Sequence, residues 1–165
     1  MSGRKRESIN TYSIPLQMRM GIARYLPEPA PFHYTRNDLL FAIDFKIPVG
    51  TPVLSALGGI VEKVRDGFDE GKYDKKYLSK SNFIILKHDN DEYTKYVHLH
   101  KGIPVKQGDL VFQGQLIGFS GLSGYADYPH LHFEVGRYNQ QGYLFSVLAR
   151  FEEDGRRFTL RSPKE

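Results

Sequence analysis

The sequence predicts an all-β fold, either an antiparallel β-sandwich or a partly open barrel. Short apolar runs with period-two alternation recur along the chain, whereas patterns with the 3.6-residue period of a helix are few. Connectors that contain glycine or proline separate these runs, for example at residues 49–52, 58–59 and 106–109. Many short strands joined by such turns are typical of sandwiches and barrels.

Seven segments are predicted to be strands. They are residues 40–46, 52–54, 59–65, 82–88, 93–98, 116–120 and 130–136. In the first of them, Phe41, Ile43 and Phe45 would face one way, and Asp44 would lie on the other side. A carboxylate opposite an apolar face is either exposed to solvent or paired with a partner such as a cation. Asp44 is therefore a candidate functional residue.

Two other segments show no clear strand pattern. Residues 66–80 are polar and charged and contain glycine, which predicts a long surface loop of the kind that can form a wall of a binding groove. Residues 144–151 form the apolar part of the C-terminal tail, and we predict either a helical turn or an edge strand there. Because no repeat or linker divides the sequence, we expect a single domain over residues 1–165.

Composition restricts the kind of site that the chain can build. Cysteine is absent, which excludes disulfides, thiolate metal sites and cysteine nucleophiles, so any metal site must use His, Asp or Glu. The net charge of +4 is scattered and forms no basic stripe, so we expect no nucleic-acid partner. No apolar run has the length of a membrane span, and residues 1–10 lack the hydrophobic segment of a secretory signal. The compartment and the oligomeric state are left open.

The segment Pro129-His130-Leu131-His132-Phe133-Glu134 is the strongest candidate site. On a strand, His130 and His132 would project from one face about 7 Å apart, so that one imidazole could bind a metal while the other reaches a water beside it. The glycine-rich residues 118–124 allow the preceding backbone to fold tightly. The alternative for such a pair is two half-buried polar residues on a solvent-facing sheet.

A second histidine pattern lies on the predicted strand at residues 93–98. By period-two alternation, Tyr96, His98 and His100 would share one face. Taken alone, this pattern is better explained by a polar outer face than by a site.

Together these features resemble the lysostaphin-like (LytM-type) zinc endopeptidases of cell-wall peptidoglycan. Four blocks match the family in its order. They are residues 42–45 with 50–53 and 59–61, residues 82–88 with 96–99, residues 105–109 with 114–118, and residues 120–121 with 129–135. The resemblance covers about residues 33–137, and it is specific because four ordered blocks rarely coincide by chance.

The resemblance implies a role for each residue that matches a family position. Asp44 and His132 would be zinc ligands. His98 and His130 would be unligated histidines beside the zinc, where they share the roles of general base and of donor to the developing oxyanion.

Other side chains near the matched blocks are given structural or minor roles. His88 matches a recurrent family position that is not a ligand, and we expect structural hydrogen bonding there. His100 lies just past the matched position and is expected on the surface. Tyr125 or Tyr128, beside the site, could contact a substrate.

One position departs from the family pattern. The family usually has its first zinc-binding histidine four residues before the aspartate, and this position is Leu40, which cannot bind zinc. Either His33 reaches the metal from the upstream loop, or the site is incomplete and the domain is inactive. His33 is the only histidine before Asp44. We favour ligation by His33, the alternative being an ordinary surface-loop histidine.

The resemblance thus implies a zinc-dependent endopeptidase that hydrolyses peptide bonds in peptidoglycan cross-links or stem peptides. The zinc ligands would be His33, Asp44 and His132, and location in the cell envelope or outside the cell would follow. The alternative is an inactive member that binds peptidoglycan or activates a hydrolase. A metal-free β-module that binds sugar or a carrier would explain the strands but not the clustered histidines.

Overall fold

The computed structural model describes residues 6–17 and 27–165, and these residues form eleven β-strands and three short 3-10 segments. The strands are β1 (Glu7–Tyr12), β2 (Ile43–Lys46), β3 (Pro52–Leu54), β4 (Gly59–Arg65), β5 (Phe83–Lys87), β6 (Tyr93–Val97), β7 (Leu110–Val111), β8 (Leu116–Phe119), β9 (His130–Tyr138), β10 (Leu144–Glu153) and β11 (Arg156–Leu160). The 3-10 segments are Pro31–Thr35, Lys75–Tyr77 and Asp89–Asp91. The predicted all-β fold is confirmed.

Nine of these strands form one curled sheet, and β3 pairs with β8 in a second, smaller sheet. The order in the large sheet is β1-β10-β9-β6-β5-β4-β7, with β2 attached to β9 and β11 attached to β10. The long strand β9 pairs with β6 on one edge, while β2 and then β10 share its other edge. This branching places β2 directly beside the first half of β9.

Alternation along β9 separates the core from a polar face. Leu131, Phe133 and Val135 belong to the main hydrophobic core. His130, His132 and Glu134 therefore project from the opposite face of the sheet. The strand β2 follows the same division, because Ile43 and Phe45 are in the core whereas Asp44 is not.

The seven predicted strands are all present, and the largest shift is at β2, which begins at Ile43 and not at residue 40. The pattern missed β1, β7 and β11. Of the two alternatives predicted for residues 144–151, the strand is present and the helical turn is not, but β10 has neighbours on both sides and is therefore not an edge strand. Residues 66–80 form the predicted loop, apart from the 3-10 turn within it.

Pairing between β1 and β10 is parallel, in contrast to the antiparallel pairing of the other strands in the described ranges. The buried Glu92 carboxylate accepts backbone N–H groups of Ile9 and Asn10 and the hydroxyl of Tyr12. These contacts hold β1 in place from outside the sheet, which no strand pattern in the sequence could predict.

The single domain over residues 1–165 stays a prediction, and its residues 1–5 and 18–26 lie outside the described part. Within residues 6–17 and 27–165, no helix has the length and apolar character needed to cross a membrane.

Candidate metal centre

Three buried side chains meet at one end of the polar face. His33, Asp44 and His132 each offer one ligand atom, and these atoms lie within 4.8 Å of one another. Nδ1 of His132 lies 3.0 Å from Oδ1 of Asp44, and Nε2 of His33 lies 3.3 Å from Oδ2. Two imidazoles and one carboxylate that converge in this way could hold a metal ion.

Strand pairing positions two of the three side chains. Asp44 on β2 lies directly opposite His132 on β9 in an antiparallel register, so both project from the same face. Behind them, Ile43 pairs with Phe133, and both are almost fully buried in the core. A slip of one residue would turn the carboxylate into the core, so burial of the apolar neighbours fixes the pair.

His33 reaches the same place from the 3-10 turn Pro31–Thr35. The turn is closed by backbone bonds from His33 N to Ala30 O and from Arg36 N to His33 O. The C-terminal tail holds the turn, because Ala30 N donates to Pro163 O and the Tyr34 hydroxyl donates to Ser162 O. The position of His33 therefore depends on segments far away in sequence.

The charges of this cluster are strongly coupled. Burial alone would raise the pKa of Asp44, but hydrogen bonds from His132 and His33 hold this pKa well below its usual range. Burial alone would lower the pKa of His132, yet Asp44 and Glu134 outweigh it and raise the pKa to about 9. A site that attracts a proton so strongly also favours a metal cation between these groups.

His98 and His130 lie beside the cluster, with ring centroids 4.6 Å apart. Nδ1 of His98 lies 2.7 Å from the carbonyl oxygen of Ser123, and Nδ1 of His130 lies 2.9 Å from that of Tyr128. Because a carbonyl only accepts, each Nδ1 carries the proton and each Nε2 keeps a free lone pair. For His130, this Nε2 lies 3.9 Å from Oδ2 of Asp44.

Both histidines are neutral near pH 7. Burial lowers the pKa of His98 to about 3, and the neighbouring imidazoles add to this shift. Burial also lowers the pKa of His130, although Asp44 opposes the shift. Neutral imidazoles with an unprotonated Nε2 can accept a hydrogen bond from a water in the cleft, although the low pKa makes His98 a weak base.

The prediction that Tyr96, His98 and His100 share one face of a strand was wrong. The strand β6 ends at Val97, and His98 has a positive φ of 65°, an uncommon conformation for a residue other than glycine. This turn breaks the alternation, so His98 lies with the site histidines while Tyr96 is buried in the core. His100 does not join them, and it is exposed as expected.

Leu40 and His88 are not among the three candidate ligands. Leu40 is half-buried in the turn before β2, and the imidazole that contacts Asp44 from the upstream side is His33. His88 lies outside the site, where Nδ1 contacts Gly58 O and Nε2 contacts the hydroxyl of Thr94, as expected for a structural histidine.

The cluster opens into a cleft of about 720 Å³. Its lining includes Phe32, Tyr73, Tyr125, Tyr128, Lys95 and Glu134. The rings of Tyr73 and Tyr125 stack 4.6 Å apart, so the loop at residues 66–80 does form a wall of the cleft. Sequence reasoning gave no role to Glu134, although its position two residues after His132 already predicts the same face.

The sequence profile of peptidase family M23 matches residues 40–143. Peptidoglycan DD-endopeptidase ShyA of Vibrio cholerae is 39% identical over 92 residues, which are 56% of this chain and 19% of ShyA. Lysostaphin of Staphylococcus simulans is 36% identical over 94 residues, which are 57% of this chain and 17% of lysostaphin. The chain thus spans about a fifth of the length of these relatives.

A solved structure supports the same relationship. The crystal structure of a zinc-containing peptidase from Vibrio cholerae aligns with a TM-score of 0.52 and 30% sequence identity, covering 76% of this chain and 36% of that chain. Fold and sequence therefore agree, and the profile match extends over more than half of the chain. The chain belongs to peptidase family M23.

Proposed function

We propose that this chain is a zinc-dependent endopeptidase that hydrolyses peptide bonds of peptidoglycan, in cross-links or stem peptides. The observation that carries the proposal is the convergence of His33, Asp44 and His132 at the end of a cleft. Two neutral histidines, His98 and His130, lie beside this cluster with free Nε2 atoms.

The three proposed ligands fit zinc. Zinc–nitrogen and zinc–oxygen bonds of about 2.0–2.2 Å place two ligands of a tetrahedral ion about 3.4 Å apart. The nitrogens of His132 and His33 lie 3.0 and 3.3 Å from the oxygens of Asp44, which is close to this spacing. Three protein ligands of the nitrogen and oxygen type are typical of catalytic zinc sites that keep one open position.

The proposed chemistry divides between the metal and the histidines. Zinc supplies Lewis acidity, which polarises a peptide carbonyl and makes an attacking water more acidic. One of the pair, His98 or His130, would accept a proton of this water through Nε2 and return it to the departing amine. Their Nδ1–H bonds to Ser123 and Tyr128 keep the rings in the tautomer that this transfer needs.

The names of the relatives support the proposal that peptidoglycan is the substrate. ShyA is a peptidoglycan DD-endopeptidase, and another relative is the glycyl-glycine endopeptidase ALE-1 of Staphylococcus capitis. An open cleft with aromatic walls accommodates an extended peptide, for which the rings of Tyr73 and Tyr125 offer a contact surface. We therefore also propose that the protein works in the cell envelope or outside the cell, where peptidoglycan lies.

The alternative, an inactive module that binds peptidoglycan or activates a hydrolase, rested on Leu40. The position of His33 beside Asp44 weighs against this alternative, because it offers a third candidate ligand from another segment. The two functions differ in their need for metal, and this difference decides between them.

The test is cleavage of purified peptidoglycan and of short glycine peptides by the purified protein. We expect cleavage that stops when a chelator removes zinc and returns when zinc is added, with His132→Ala as the inactive control. Absence of zinc-dependent cleavage of both substrates would overturn the proposal. Binding to peptidoglycan by a protein that holds no zinc would instead support the inactive module.

A further inference from the structure

Glu134 is a buried carboxylate of the cleft that the proposed reaction does not use. It follows His132 by two residues on β9, so its side chain projects from the same face. Only 2% of the residue is exposed. We infer that Glu134 is a positioning residue, whose carboxylate faces the second ring nitrogen of His132 and favours the ring tautomer and orientation that metal binding needs. The inference rests on the proposed zinc site.

The two nitrogens of His132 face two different carboxylates. Nδ1 lies 3.0 Å from Oδ1 of Asp44, on the side of the proposed ligands. Nε2 lies 3.9 Å from Oε1 of Glu134, on the opposite side. To bind a metal through Nδ1, the neutral imidazole must carry its proton on Nε2. A carboxylate facing Nε2 stabilises that tautomer and strengthens the imidazole as a ligand.

The charge of Glu134 has few other contacts that would explain its burial. A buried carboxylate is unfavourable unless it is paired or hydrogen-bonded. Lys95, opposite Glu134 in the pairing of β6 with β9, places Nζ 3.9 Å from Oε1. Within the described residues, Oε2 has no hydrogen-bond partner. In the described part of the chain, the carboxylate thus has ion-pair contacts with Lys95 and His132, and Arg36 also interacts with it electrostatically.

The other site histidines lack this arrangement. His98 and His130 donate through Nδ1 to neutral backbone carbonyls, and Nε2 of His130 lies 3.9 Å from Oδ2 of Asp44, so neither ring lies between two carboxylates. Nδ1 of His33 has no hydrogen-bond partner among the described residues. His132 therefore combines a carboxylate on the metal-facing nitrogen with a second carboxylate behind it, as expected for the histidine that binds most strongly.

The experiment compares zinc affinity in Glu134→Gln, Glu134→Ala and Lys95→Met, measured by competition with a chelator. We expect Glu134→Gln to weaken zinc binding by about 10–100-fold, the usual effect of losing such a partner. Glu134→Ala should weaken it at least as much, because no acceptor remains. Lys95→Met is the matched control, which removes the other neighbour of Glu134, and it should leave zinc binding unchanged or tighter.

A spectroscopic measurement separates positioning from a merely structural role. The visible absorption of the cobalt-substituted protein reports the ligand geometry, and it should shift in Glu134→Gln but not in Lys95→Met. Unchanged affinity and spectrum in Glu134→Gln would overturn the inference, as would an equal loss of zinc in Lys95→Met. If the wild type itself binds no zinc, the proposed function fails. If the wild type and Glu134→Gln bind zinc equally, only the role of Glu134 fails.

Discussion

The candidate site has two halves that are built in different ways. The strand half consists of Asp44 on β2 and of His130 and His132 on β9, and it is fixed by backbone pairing over a buried core. The loop half consists of His33 on a 3-10 turn and His98 just after β6. Contacts with distant segments hold the loop half, through the C-terminal tail for His33 and through Ser123 for His98.

This difference indicates which part of such a site can change during evolution. A strand residue cannot move by one position without turning its side chain to the other face of the sheet. A loop residue can be replaced by one from another segment, provided that the new side chain reaches the same point. The family pattern has a histidine at the position of Leu40, whereas here His33 contacts Asp44 from eleven residues upstream. The candidate ligand His33 thus belongs to the loop half.

Removing one ligand from each half should give the largest effects. Asp44→Ala removes the carboxylate on which both imidazoles converge, and we expect loss of stoichiometric zinc and of hydrolysis. His33→Ala leaves Asp44 and His132 in register, so some zinc binding should remain. We expect it to be weaker than in the wild type by more than about 100-fold, because loss of a residue that only supports a ligand costs about 10–100-fold. The loss of zinc affinity in His33→Ala should still be smaller than the loss in Asp44→Ala. Zinc content and chelator competition measure both.

The control for these variants is His100→Ala, which removes an exposed histidine two residues after His98 and should keep full zinc content. Normal zinc affinity in His33→Ala would show that the loop half supplies no ligand. The comparison between the halves would then apply to His98 alone.

The second prediction compares one unligated histidine from each half. His130→Ala and His98→Ala should keep zinc but reduce kcat by about 10²–10⁴-fold, the usual range for a general acid or base. Burial lowers the pKa of both rings, so each is neutral near pH 7 and offers an unprotonated Nε2 to the attacking water. Peptide cleavage by zinc-saturated variants measures the effect. A variant that cleaves at the wild-type rate would exclude its histidine from proton transfer.

The division between the halves also explains how much the sequence predicted. Alternation placed Asp44, His130 and His132 on a polar face, because period two depends only on local backbone geometry. The same rule was wrong for His98, because β6 ends at Val97 and His98 has a positive φ that breaks the alternation. No local pattern shows that the tail reaches the turn with His33, and this residue was found through its family resemblance. The missed strand β1 depends in the same way on a distant residue, Glu92.

The smallest predicted effect concerns the attachment of the loop half. The hydroxyl of Tyr34 donates a 3.0 Å hydrogen bond to Ser162 O, and Tyr34→Phe removes it while keeping the ring. A bond of this kind contributes about 0.5–1.5 kcal/mol, so zinc affinity should fall by about 2–10-fold through looser placement of His33. Tyr138→Phe, on an exposed part of β9, is the control and should have no effect. Unchanged zinc affinity in Tyr34→Phe would mean that the hydroxyl of Tyr34 does not help to place His33, which leaves the backbone bond from Ala30 N to Pro163 O to attach the turn to the tail.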